Sequence, residues 1–434
     1  MANMRQSSGW RQHMGQGVAC SLLVLAAALC SGQASGLTLV PQVLSAGGQS
    51  VTLSVPKGMQ VDYVAPASGA RFPALGPDGE LLVGSNGSTI YRLGFPYLSV
   101  ATLVNIGSRS HSVAWDGSRL LVADSAALYA APYSGMSSSL VPGDFTSLVS
   151  LPTGGHWSRT VVVDSEGDAY VSIGISGNCS DEYLAGTSPD YSAAVRRGGV
   201  WKIDESGASP ALVPWSSGLR NPIGIAFNPA NGDLWATNAG SDDLGFDLPR
   251  EIFSRLSEGS WHGMPWFQYI SGNFAAQGCI GSDPPRPGSE ATPPSVTFDA
   301  RSTPQGIAFI TGNQLDPDLS GHAVVAIHGS WATDGDGNRR PPKLVLVRFE
   351  NGDAVSVEDM VTGFQAANGN RFARPSGVVM GADGFIYFTS DGGAVQGVFR
   401  LRPMVEPPDP GPPQSFCVPV MKSRALVMVC DELD

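Results

Sequence analysis

Short apolar runs alternate with turns along this chain, and the pairing recurs. An apolar strand, a turn carrying Gly with Asp or Asn, and a second apolar strand ending in a small or acidic residue form a unit that repeats six times. The copies are FPALGPDGELLVGS from Phe72, SVAWDGSRLLVADS from Ser112, TVVVDSEGDAYVSIG from Thr160, IGIAFNPANGDLWATN from Ile223, QGIAFITGNQLDPDLSGHAVVAIHG from Gln305 and SGVVMGADGFIYFTSD from Ser376. Each is followed by a segment able to supply an outer strand, such as TIYRL from Thr89, VWKID from Val200, LVLVRF from Leu344 and GVFRL from Gly397. No long amphipathic helical period interrupts them. Hairpins at unequal intervals without intervening helices predict an all-β protein, a six-bladed β-propeller over about residues 40–402. The two longest insertions, 176–199 and 256–294, are the connections expected to build a site on one face.

Composition agrees with this reading. With 54 Gly, 33 Pro and 15% charged residues, the 434-residue chain fits a turn-rich β protein better than a helical one. Its formal charge of −12 argues against binding nucleic acid or an anionic membrane through a basic face.

At the start, Arg5 and Arg11 precede an apolar run over 18–30 that is too short to span a bilayer, with Gly32 and Ala34 following. Residues 1–34 therefore read as a secretory signal rather than a transmembrane segment, and the product as extracellular, or periplasmic in a bacterium. Four cysteines remain beyond it. Cys417 and Cys430 are close in sequence, whereas Cys179 and Cys279 can pair only if two long loops meet; connectivity stays open. Asn86 and Asn178 begin glycosylation sequons. Residues 403–414 form a Pro-rich linker, and the tail 415–434 either adds a strand to an open edge or packs on the surface.

Candidate chemistry concentrates between Gly218 and Phe253. Arg220 and Asn221 precede Pro222, which disfavours helix and holds the pair extended. Arg suits planar carboxylates. Further on, Asp242, Asp243, Asp247 and Glu251 surround Gly240 and Gly245 in a loop over 238–251. Such an oxygen-rich loop suits calcium, and it reads equally as a solvated acidic loop.

The strings LPTGGHWSRTVVVDSEGDAYVSIG, GLRNPIGIAF, DDLGFDLP, HGSW from His328 and RPSGVVMGADGFIYFTSD from Arg374 together resemble the soluble sugar dehydrogenases dependent on pyrroloquinoline quinone (PQQ), the glucose/sorbosone dehydrogenase family. The likeness spans roughly residues 60–402. It implies a propeller that binds PQQ and Ca2+ centrally, oxidises an aldose at C1 and passes electrons to a separate acceptor. His156 falls where the family has its catalytic base. Arg220 and Asn221 carry over as cofactor ligands, with Arg220 also catalytic beside the quinone oxygen that gains charge. Gly240 and Ser241 align with the carbonyls that bind calcium, and Arg371 and Arg374 with the arginines that pair cofactor carboxylates. Trp261, Trp266 and Tyr269 resemble an aromatic loop that shapes sugar pockets.

Two departures stand out. Ala332 and Thr333 follow HGSW where Asn and a basic residue are usual, and Arg301 replaces a His expected shortly before the SxPxG motif. A calcium-dependent lactonase-type propeller and a non-catalytic carbohydrate-binding propeller are the alternatives. Retention of both His156 and Arg220 weighs against the second. Oligomeric state is not legible in the sequence.

Overall fold

A computed structural model describes residues 36–180, 197–281 and 283–404, together with the backbone of the strands Phe416–Lys422 and Ala425–Asp431. The expected leader, most of the linker and much of the 176–199 insertion lie outside the described residues.

The repeats fold as antiparallel meanders. Their first strands are Ala70–Leu75, Ser112–Trp115, Val161–Val163, Asn221–Phe227, Pro304–Phe309 and Pro375–Met380. Each pairs with the second strand of its own hairpin, and a third and fourth strand follow outward. The first two meanders are joined by one parallel pairing, Phe72 with Ser112. The last is completed not by the strand that follows it but by Met59–Ala65 from near the beginning, paired with Gly397–Pro403.

The six first strands pack side by side in a closed ring, each touching the next and Pro375–Met380 returning to Ala70–Leu75. They surround a central cavity of about 430 Å³ lined by Phe72, Val113, Val161, Ile225, Ile307 and Val378. Second strands such as LLVGS, AYVSI and AVVAI are buried along their whole length, as expected for strands covered on both faces. TIYRL, VWKID, LVLVRF and GVFRL are third strands, not outermost ones. The true outer strands, such as Ala101–Asn105 and Thr146–Ser150, are largely solvent-facing, and so carry little apolar patterning. Leu39–Ala46 and Gln49–Pro56 form a separate hairpin that buries Leu53 and Val55 in the core. The tail likewise pairs with itself, in a register that sets Cys417 opposite Cys430.

Ring closure rests on glycines and hydroxyls. The first strands break register near their starts, between Ala70 and Pro73, Pro222 and Ile225, Pro304 and Ile307, and Pro375 and Val378. Such bulges leave backbone groups without ladder partners. Thr237 Oγ accepts from the Gly224 N–H at 3.0 Å and donates to Gln305 O at 2.9 Å on the next first strand. Thr389 does the same, accepting from Gly377 N–H at 2.8 Å and donating to Arg71 O. The strands approach closely enough that a Cβ on Gly224 would collide with the Gln305 carbonyl, and one on Gly377 with that of Arg71.

Gly224→Ala is therefore expected to lower stability by about 1–3 kcal/mol, as overpacking of a tight interior does. Chemical denaturation checks this, and an unchanged midpoint would mean that the ring tolerates wider spacing.

Candidate functional site

The leading ends of the first strands carry the chemistry. Arg71, His111, Arg159, Arg220, Thr303 and Arg374 each lie at, or within two residues of, the start of one of them. Because the ring sets these starts side by side, residues distant in sequence become neighbours.

His156 lies in the turn before Val161–Val163. Its Nδ1 is 2.6 Å from Ile175 O. A carbonyl oxygen only accepts, so Nδ1 carries the proton. Burial, then the Arg220 charge, lowers the imidazole pKa to about 4. At neutral pH the ring is thus neutral, with a bare Nε2 available as a base. Desolvation is what moves its pKa below the ordinary imidazole value. Arg159, fully buried, holds this turn by donating to His156 O at 2.6 Å, Ser158 O at 2.7 Å and Pro152 O at 2.6 Å.

Gly174 lies where His156 and Asn221 converge. A Cβ there would stand 2.8 Å from His156 Cβ and 2.6 Å from Asn221 Oδ1. That Oδ1 is buried and has no hydrogen-bond partner among the described residues. Arg220, next in sequence, donates to Asn178 O at 2.9 Å, Asn178 Oδ1 at 2.8 Å and Asp242 Oδ2 at 3.1 Å. Sequence reasoning had met Asn178 only as a sequon. Its Oδ1 also accepts from the Asp242 N–H and its Nδ2 donates to Asp243, so a glycan, which attaches at Nδ2, would disturb the Asp243 contact beside Arg220. The neighbouring Cys179 is disulfide-bonded to Cys279, so the two long insertions do meet.

The 238–251 loop is held by its own Glu251 and by two arginines from outside it. The buried Glu251 carboxylate accepts from Gly240 N–H at 2.5 Å, and burial raises its pKa to about 7. Asp247 pairs with Arg340 at 2.6 Å. Arg301 donates to Ser241 O, Asp242 O and Gly245 O, and pairs with the Asp242 carboxylate.

Across the ring, His328 Nε2 donates to Asp391 Oδ1 at 2.7 Å, and Asp391 also pairs with Arg71. Burial would push Asp391 up, but Arg71 and His328 hold it well below the usual carboxylate range. The Arg71 guanidinium lies 5.0 Å from the Trp157 ring centre, which connects this network to the residue after His156. Arg374 donates to His328 O at 3.1 Å and Gly329 O at 3.0 Å. Its pKa falls to about 10 through burial and then the like charge of Arg371. Arg371 itself bonds Ser330 O at 2.7 Å. Beside Arg374 stands Trp331, 81% exposed.

Thus His156, Arg220, Asn221 and the Gly240–Ser241 loop are neighbours, and Arg374 reaches them through the His328–Asp391–Arg71–Trp157 chain, with Arg371 beside it on Ser330 O. The aromatic expectation is corrected for Trp261 and Trp266, while Tyr269 is half-buried. Trp261 and Trp266 are 1% and 5% exposed, packed with Ala291 in a small core of their own, and present no open sugar platform. Their apolar bulk decides this against the pocket.

A family model described as glucose/sorbosone dehydrogenase matches residues 145–398. The chain belongs to this family. One curated relative, an uncharacterized protein of Borreliella burgdorferi, is 27% identical over 183 residues, which make up 41% of this chain and 45% of that protein. The match therefore spans under half the length of the curated relative. The fold of this family member also resembles solved structures. A Trichoderma reesei enzyme of carbohydrate-active family AA12, in a calcium structure, gives a TM-score of 0.67 at 20% identity over 81% of this chain and 96% of that one. The holo PQQ domain of Coprinopsis cinerea pyranose dehydrogenase gives 0.65 at 19% identity over 81% and 97%. The PQQ-bound aldose sugar dehydrogenase of Streptomyces coelicolor gives 0.56 at 15% identity over 80% and 99%. Likeness at this level establishes a propeller-like fold.

Four imidazoles, those of the buried His111, His262 and His328 and the half-buried His156, have pKa values lowered by desolvation. A folded pKa below the unfolded one means that the unfolded chain binds the extra protons. Stability is therefore present above about pH 6.5 and is lost as pH falls toward 4. Glu251 acts oppositely, but it is one carboxyl against four imidazoles. Thermal melts are expected to show a falling midpoint across this window and a shallower fall in His262→Gln. A flat profile would contradict the burial of these rings.

Proposed function

We propose that the chain is a six-bladed propeller and an exported quinoprotein that oxidises an aldose or related sugar at C1. The observation that carries the reading is the neutral His156 with its bare Nε2, set beside the fixed cation of Arg220 and the Asn221 Oδ1 that has no partner among the described residues.

The residues fit PQQ. Around Arg374 the like charges of Arg371, Arg71 and Arg339 act against the opposite charge of Asp391, so an anionic ligand relieves their repulsion. Its carboxylates are what Arg371 and Arg374 would hold, and the flat exposed Trp331 ring beside Arg374 suits a planar ligand. Ser241 O, Asp242 O and Gly245 O already converge on one cation, the Arg301 guanidinium. The donors are thus of the kind calcium takes, with the Gly240–Ser241 segment its holder. When bound, the quinone supplies a hydride acceptor, and calcium polarises its oxygens.

The protein's own part is to position and to move a proton. His156 Nε2 takes the C1 hydroxyl proton while Nδ1 keeps its bond to Ile175 O, which fixes the ring. Arg220, braced by Asn178 and Asp242, offers charge where negative charge develops without having to reorganise. A separate acceptor must reoxidise the site. Export accords with the Cys179–Cys279 disulfide, which an oxidising compartment favours. No helix among the described residues is long and apolar enough to cross a membrane.

Purified protein given PQQ and calcium is expected to shift the quinone absorption and to reduce a dye when aldoses are added. His156→Gln should bind the quinone normally and lose about 10²–10⁴ in kcat. Absence of a spectral shift in the parent protein would sink the cofactor assignment, and an undiminished rate in the variant would remove His156 from the chemistry.

A further inference from the structure

Arg301 behaves as an ion rather than as a surface arginine. Its side chain is 8% exposed, although its chief partner Asp242 is 64% exposed. Nε donates to Gly245 O at 2.9 Å, Nη1 to Ser241 O at 3.2 Å, and Nη2 to Asp242 O at 2.7 Å, with Asp242 Oδ1 completing the set. These acceptors come from one turn of the 238–251 loop. Backbone carbonyls that converge on a single charge are the arrangement by which loops hold hard cations.

The backbone supports the same view. Arg301 adopts φ 67°, a left-handed conformation that a non-glycine residue enters only at a cost. The Arg301 backbone also lies close enough to the buried Glu251 carboxyl to lower its pKa, and that carboxyl in turn holds the Gly240 N–H. Arg301 is therefore tied by its guanidinium to the loop it fills. Asp242 further divides its two oxygens between Arg301 and Arg220. The charge at the loop is thus shared with the residue assigned to the quinone oxygen.

We propose that Arg301 is the resident cation of this loop, and that a divalent ion binds at Ser241 and its neighbours only in exchange for the guanidinium. The proposal rests on the calcium assignment above but not on the quinone or the sugar. Two cations cannot share one ring of carbonyls, since each repels the other at short range in a partly dry site. Entry of the ion must free Arg301, and with it the hold on Asp242, leaving Asp242 to Arg220 alone. The Arg at this position is then what sets how much calcium the protein needs.

The test titrates quinone-free protein with Ca2+, read by calorimetry, and with Tb3+, read by sensitised luminescence. Arg301→Gln removes the competing charge and is expected to bind Ca2+ about tenfold more tightly than the parent, equal to ~1.4 kcal/mol. Arg301→Lys keeps the charge without the planar fork and should fall between them. If the Gln variant fails to fold, judged by its melt, the Lys variant against the parent carries the comparison. Equal or weaker calcium binding in the variants, or binding in none of the three proteins, overturns the proposal. A parent protein that takes up no PQQ while Arg301→Gln gains calcium leaves it standing and removes the cofactor reading instead.

Discussion

The hydroxyl of Thr237, shared between the Gly224 N–H of its own sheet and the Gln305 carbonyl of the next, is the kind of contact on which the molecule depends. A bulge opens the ladder of a first strand, and the freed N–H would be an unpaired buried donor without the threonine. The same hydroxyl then reaches the neighbouring sheet. Thr389 repeats the device toward Arg71, and Thr160 and Ser112 link the intervening sheets through Ile223 O and Arg159 O. Each staple satisfies a backbone group and fixes the spacing between sheets in one step. The starts of the first strands, and every side chain mounted there, inherit that spacing.

Electrostatics at those starts follow from burial. Arg71, Arg159, Arg220 and Arg374 are buried or nearly so, and each has its pKa lowered by desolvation. Their partners are mainly carbonyls, with Asp391 and Asp242 the principal carboxylates. The site is therefore a desolvated cationic pit in an acidic protein. Such a pit favours anionic, flat and hydrogen-bonding ligands over neutral ones, and it keeps His156 uncharged.

The sequence exposed the fold well where strands are buried on both faces. LLVGS, AYVSI and IYFTS are near-continuous apolar runs bounded by turns, and nothing but a covered strand suits them. It misjudged the sheet edges, because Ala101–Asn105 and Thr146–Ser150 face solvent and have no apolar code to read. In the candidate site, the closeness of His156, Arg220 and Asn221 could be anticipated because local strings carry them. Asn178 and Asp391 could not be, since their roles depend on partners 42 and 63 residues away that only ring closure brings near. Trp261 and Trp266 misled for the opposite reason: an aromatic cluster in a loop looks the same whether it stacks on a ligand or on itself. Arg301 was visible only as a residue out of place, and what it does became clear from the carbonyls around it.

The closing of the last sheet by Met59–Ala65 has a consequence for how the protein is made. Tyr63 donates to Gln396 O across 333 residues of chain, and its strand leaves the ribosome long before Gly397–Pro403 exists. Throughout that interval the early strand presents an unpaired edge with apolar residues such as Val61 and Ala65, while the growing array ends in a second open edge. Both edges are templates for the wrong partner, including another nascent copy. Synthesis speed and chaperone occupancy thus bear on yield more heavily than the finished molecule's stability suggests. The seam between these early and late strands is therefore where assembly of this architecture is most open to mispairing.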